Sequence, residues 1–171
     1  MEEIVPFADI VGKNVWQVNR GIGSFLTMEF GLPRLEIREP KPKNELRSEV
    51  SKKILTRRRI TVLGEWHLWL QCTSWSMTFE DDPGVNGDSS PADIDNGIRS
   101  LDGQKLEMIA LRDHATKFVM KFDLGALLKV FPNVETTNSV LLALYGPNDF
   151  YQEIVQSSAM ELELNLNATS S

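Results

Sequence analysis

Glu65, His67, Trp69 and Gln71 alternate along the segment GEWHLWLQC, so in an extended strand they share one face, opposite Trp66, Leu68, Leu70 and Cys72. A carboxylate, an imidazole, an indole and an amide in one row surround a large aromatic anchor with hydrogen-bond donors and acceptors. That is the composition of a surface that recognises a partner or a ligand. Two readings of the row stand side by side. Either a second layer of structure buries Trp69, with its N–H and the His67 ring satisfied internally, or the row is a recognition face.

Covalent and metal chemistry are less well served. His67 and Cys72 lie an odd number of positions apart and point to opposite faces of an unbroken strand, so Cys72 reads as a core side chain rather than a nucleophile. Two histidines and one cysteine give no ligand pair at i, i+2 or i, i+4 spacing, and neither a metal nor a cofactor is expected. DDPGVNGDSSPAD has the outline of a calcium loop, with Asp82 first, Asn86 fifth, Gly87 sixth and Asp93 twelfth. Gly84 stands third, where a ligand oxygen belongs, so the stretch reads as a solvated turn-rich loop. Gly21-Ile22-Gly23-Ser24 lacks the third glycine of a dinucleotide fingerprint and precedes a strand, not a helix. His114 falls in a predicted hairpin turn. No catalytic constellation emerges, and the chain leans away from an enzyme.

Charge offers a different candidate. Between Glu80 and Asp102 seven acidic side chains, among them Asp81, Asp82 and Asp88, face one arginine, a local net of −6. Such a loop suits a basic protein partner. Between Pro40 and Arg59 eight cations face Glu45 and Glu49, a local net of +6. Here Leu46, Val50 and Ile54 recur at four-residue spacing and Asn44 is placed to cap, which predicts an amphipathic helix over 44–55 packed across one end of a sheet, or presented to an anionic partner.

The elements that must position these residues are mostly strands. Gly64 to Phe79 carries three of the four tryptophans and predicts a central hairpin, with Trp66 to Cys72 returning as Trp75, Met77 and Phe79 after a phase change near Thr73. Before it, NVWQVNRG and SFLTMEFG flank Gly21 to Gly23 as two strands, and GLP turns the chain into a third, RLEIREP. After it, EDDPGVNGDSS is loop. Ser90, Pro91 and Asp93 then open a helix over 91–101 with Ile94, Ile98 and Leu101 on one face. QKLEMIALRD and TKFVMKFD form a hairpin, and LLKVF, SVLLALYG, FYQEIV and MELELN follow, with a turn at Gly146-Pro147-Asn148.

About a dozen short strands and one or two short helices predict a mainly β single domain spanning 1–171. It is an antiparallel, strongly curved sheet, a sandwich or a partly closed barrel. The 171 residues include no run of apolar side chains long enough for a membrane span, a net charge of −6 that makes nucleic acid an unfavourable partner, and one cysteine, which fits a reducing cytoplasm.

GIGSFLTMEFG, GEWHLWLQC, SLDGQKL and FDLGALLKV together resemble the pattern of small bacterial β-rich proteins of unassigned activity, over residues 12 to 131. Some β-rich proteins of that kind resemble toxin-neutralising immunity proteins. The resemblance implies no catalytic residue or cofactor. The leading expectation is therefore a non-enzymatic interaction protein, possessing the Glu65 to Gln71 face and the acidic loop. The alternative is a small-molecule binder with an apolar cavity lined by Trp16, Phe25, Trp66 and Phe122.

Overall fold

The computed structural model describes residues 7–23, 25–45, 47–71, 73–80, 82–112, 117–132, 139–156 and 162–166. In chain order the strands are β1 (Val15–Arg20), β2 (Leu26–Arg38), β3 (Arg59–Leu70), β4 (Thr73–Phe79), β5 (Asp82–Asn86), β6 (Leu106–Arg112), β7 (Lys117–Phe122), β8 (Leu127–Pro132), β9 (Val140–Tyr145), β10 (Tyr151–Gln156) and β11 (Leu162–Leu166). Helix α1 (Glu49–Leu55) lies between β2 and β3, and α2 (Pro91–Leu101) follows β5.

Every strand pairing among the described residues is antiparallel, in one sheet of order β1-β2-β3-β9-β10-β11 and a second of order β5-β4-β8-β7-β6. The fold is thus mainly β, as the alternation predicts. Both sheets are open, and neither closes into a barrel or curls strongly. The reason lies in the inner faces: Met28, Phe30, Leu68 and Leu142 of one sheet and Trp75, Met77, Phe118 and Leu128 of the other join a single buried cluster. Each sheet hides its apolar face against the other, so closure is not required.

The predicted central hairpin is not a hairpin. β3 belongs to the first sheet and β4 to the second, and the chain changes sheet around Gln71. The phase change near Thr73 marks that crossing, since a strand entering a facing sheet must turn its apolar side the opposite way. GLP does not turn the chain either. β2 runs through it without interruption, with a bulge between Phe30 and Pro33 opposite Trp66 and Gly64. Gly31 has φ +77°, which supplies the conformation such an irregularity needs.

The helix over 91–101 forms as predicted, with the Ser90 hydroxyl accepting from Asp93 N–H and with Ile94, Ile98 and Leu101 buried. It packs against β1 and β5, with the Arg20–Asp95 ion pair at 3.1 Å tying it to β1. The helix over 44–55 is shorter than predicted. Residues Lys43–Glu45 form only a 3-10 turn, Ser48 rather than Asn44 caps α1, and α1 buries none of its residues. Ser48 wins because its hydroxyl lies 3.0 Å from Ser51 N–H, where a first-turn donor needs an acceptor. The predicted loop after β4 also differs, because Asp82–Asn86 pairs with β4 as an edge strand. There Gly84, at φ +82°, sits where a Cβ would lie 2.0 Å from the Met77 carbonyl oxygen. Turn-type residues here build a bulged edge, where Pro83 is tolerated.

Candidate functional site

The register of the first sheet lines up one residue from each of five strands: Trp16 opposite Glu29, Glu29 opposite His67, His67 opposite Tyr145, and Tyr145 opposite Tyr151. Directly opposed residues point to the same side. Since Phe30, Trp66 and Leu144, their chain neighbours, face the core, this row occupies the outer face. The adjacent row sets Thr27, Trp69, Ala143 and Glu153 side by side.

Glu29 holds the row together. Its side chain is 6% exposed, and its carboxylate accepts from Gly64 N–H at 2.8 Å through Oε2 while Oε1 meets His67 Nδ1 at 2.6 Å. The β2 bulge creates this arrangement by turning the Gly64 N–H toward a side chain instead of a ladder carbonyl. Two bonds, one of them to an imidazole, satisfy a carboxylate that burial would otherwise penalise. The same bulge exposes the Gly31 carbonyl to the Trp16 indole N–H at 2.9 Å.

The His67 ring centroid lies 6.2 Å from Trp69 and 6.1 Å from Tyr145, and Tyr145 lies 5.1 Å from Tyr151. The Tyr151 hydroxyl donates to the Glu153 carboxylate. Burial raises the Tyr151 phenol well above the ordinary tyrosine range, and the bond and charge of Glu153 push the same way. A shallow groove of about 460 Å³ opens over this surface, lined by Arg34, Glu36, Leu63, His67, Trp69 and Tyr145.

Of the residues singled out from sequence, Glu65, His67 and Trp69 lie on the outer face. Glu65 forms an ion pair with Lys13 at 2.9 Å. Gln71 follows the end of β3, where its N–H donates to the Leu141 carbonyl at 2.7 Å. Trp69 is 37% exposed. The second sheet lies on the opposite side of β3, so of the two readings of the row the one in which a second layer buries Trp69 is not met.

The acidic candidates lie elsewhere. Asp82 is on β5, with Oδ1 accepting from Gly84 N–H at 2.8 Å, and Asp88 follows β5, its N–H donating to Asn86 Oδ1 at 2.9 Å. Both are exposed at the edge where α2 bridges the sheets, apart from the aromatic row. Asp81, Cys72 and His114 lie outside the described residues. Asp93, the twelfth position of the calcium-like spacing, sits in the first turn of α2 and accepts from the Ser90 hydroxyl at 2.6 Å. The described residues include no group of three or more His, Cys, Asp or Glu side chains placed to hold a metal. Nor do Trp16, Phe25, Trp66 and Phe122 share a cavity: Trp66 and Phe122 pack in the core, whereas Trp16 lies on the outer face.

Sequence reasoning missed Glu29, Arg34, Tyr145 and Tyr151 as members of the site. The available signal was Gly31-Leu32-Pro33 inside an alternating pattern, which marks a bulge and hence a place where a side chain can replace a ladder bond.

Fold and site together define a mainly β protein of two open antiparallel sheets, with a row of partly exposed aromatic side chains around a buried carboxylate on one outer face. No protein-family model, curated protein or solved structure matches the chain. Among the described residues no helix is long and apolar enough to cross a membrane.

Proposed function

We propose that the chain is a non-enzymatic protein-interaction module that docks a partner on the outer face of its first sheet. The observation that carries this reading is the exposed Trp69 beside His67 and Tyr145, with the histidine held by a buried carboxylate. Aromatic anchors fixed in place before binding lose little conformational freedom on docking, which is where interface energy concentrates. The acidic β5–α2 edge forms a second and separate surface, suited to a cationic partner. An immunity-type protein, neutralising a toxin by covering it in the cytoplasm, is the narrower form of this proposal.

A second reading has its own support in the groove of about 460 Å³ beside Trp69, a volume that a small molecule could fill. One pair of substitutions tests the first reading. Wild-type protein and Trp69→Ala/Tyr145→Ala serve as baits in affinity capture from the native cells, with circular dichroism and melting temperature showing the variant folded. The proposal expects a protein retained by the wild type and lost by the variant. Identical captures from both baits contradict it, and a small molecule co-purifying with wild type alone favours the second reading.

A further inference from the structure

β2 and β3 do not end with the aromatic row. Beyond the bulge, Pro33 to Arg38 pairs with Arg59 to Gly64 as a two-stranded ribbon, with no other strand paired to either side among the described residues. Six residue pairs make it roughly 20 Å long. Residues 39–45 and 47–58, including α1, form its tip. The Arg58 guanidinium grips the Glu39 carboxylate with Nη2–Oε2 at 2.8 Å, and Lys41 N–H donates to the Leu55 carbonyl at 2.8 Å, so the tip is built rather than loose.

This arm carries apolar side chains on an exposed face. Leu35 opposes Val62 and Ile37 opposes Ile60 on one face, and these four are 44–64% exposed; Val50 and Ile54 on α1 are 69% and 51% exposed. Uncovered aliphatic surface on this scale marks an interaction site. The arm is also cationic. Residues 34–59 carry ten basic and four acidic side chains, net +6, which leaves net −12 on the rest of a chain whose total is −6. Among the described residues Lys41, Arg47, Lys53, Arg57 and Arg59 have no ion-pair partner.

The matching surface is on the same chain. A groove of about 710 Å³ runs between β5, α2 and the turn after β7, and it combines apolar Phe79, Val85 and Leu124 with Asp82 and Asp93. Both carboxylates accept bonds from neutral donors of their own turns, and neither forms an ion pair among the described residues. Residues 80–102 around the groove carry net −6, equal and opposite to the arm.

We infer that the arm of one molecule docks in the β5–α2 groove of a second copy, aliphatic side chains filling the apolar floor and free cations facing Asp82 and Asp93. Two reciprocal contacts of this kind close a dimer. The inference rests on reading the acidic edge as an interaction surface, and it identifies the cationic partner of that edge as the chain itself. It does not involve the aromatic row.

Sedimentation equilibrium of the full chain tests it at low and high salt. The expected result is a dimer at low salt whose association weakens by at least ~10-fold at high salt, since exposed charge pairs are screened. Reversing the arm (Lys41→Glu, Arg47→Glu, Lys53→Glu, Arg57→Glu, Arg59→Glu, which takes it from net +6 to −4) or the groove segment (Asp82→Lys, Asp88→Lys, Asp93→Lys, Asn96→Lys, which takes it from net −6 to +1) is expected to give a monomer, because like charges then face one another. Mixing the two monomeric variants restores a dimer, because each arm now meets a groove of opposite sign. Trp69→Ala/Tyr145→Ala leaves the dimer intact, so failure here and failure of the aromatic-face proposal are told apart. A wild type that stays monomeric at low salt overturns the inference, as does a dimer that survives both reversals. Arm-dependent binding to anionic vesicles or to RNA by a monomeric wild type assigns the arm to another partner and overturns it as well.

Discussion

The same two strands have different surroundings at their two ends. In the body, Leu26, Met28 and Phe30 of β2 and Trp66, Leu68 and Leu70 of β3 alternate with polar neighbours and are buried against the second sheet. In the arm, Leu35 and Ile37 face Val62 and Ile60 in the same alternation, on the same side of the ribbon, and are exposed. Periodicity reports which side chains share a face. What lies over that face depends on elements far away in sequence, here β4, β7 and β8 for the body and no described element for the arm.

The largest effect is expected from truncating a core residue of the body. Leu68 is fully buried, and Leu68→Ala is expected to cost about 2–5 kcal/mol of stability through lost burial and a residual cavity. Denaturant unfolding gives the value, and a cost near zero would show that the body is not packed as described. Next comes the joint between the halves. Glu29→Ala leaves the Gly64 N–H and the His67 ring without their shared acceptor, which is expected to cost about 1–3 kcal/mol. A double-mutant cycle with His67→Ala measures how much of that runs through the imidazole.

A subtler effect separates the outer face of the body from open solvent. Burial and the bond to Glu153 raise the folded-state value of Tyr151 above that of the unfolded chain. The contribution of the neutral phenol to stability is therefore full below the ordinary tyrosine value, near pH 10, and is lost as pH rises through the higher folded value. Ultraviolet titration of the two tyrosines, with Tyr151→Phe as the reference, is expected to show Tyr151 ionising late. The smallest effect belongs to the arm. Ile37→Ser and Ile60→Ser are expected to change monomer stability by no more than ~0.5 kcal/mol at high salt, because each side chain is more than half exposed in the monomer.

These contrasts also explain what could be read from the residues alone. Ser90, Pro91 and Asp93 announce α2 because capping is local chemistry, complete within four residues. The outer placement of Glu65, His67 and Trp69 follows from strand periodicity, which is local too. Glu29 is different: it meets His67 only through the β2–β3 register, across a separation of 38 residues and through a bulge that shifts the pairing. The crossing between β3 and β4 is equally invisible, since a change of phase near Thr73 is compatible with a hairpin or with a change of sheet. α1 was legible as a helix but not as an exposed one, because its apolar spacing looks the same whether a body or a second molecule receives it.

Amide hydrogen exchange across β2 and β3, at low and high salt and at two protein concentrations, tests the division of the ribbon most directly. The body segments 26–30 and 66–70 are expected to exchange slowly under every condition, opening only with global unfolding. The arm segments 33–38 and 59–64 are expected to exchange faster, and to slow only in concentrated protein at low salt, when a second copy covers them. Equal protection of both halves, unchanged by salt and concentration, would contradict the account.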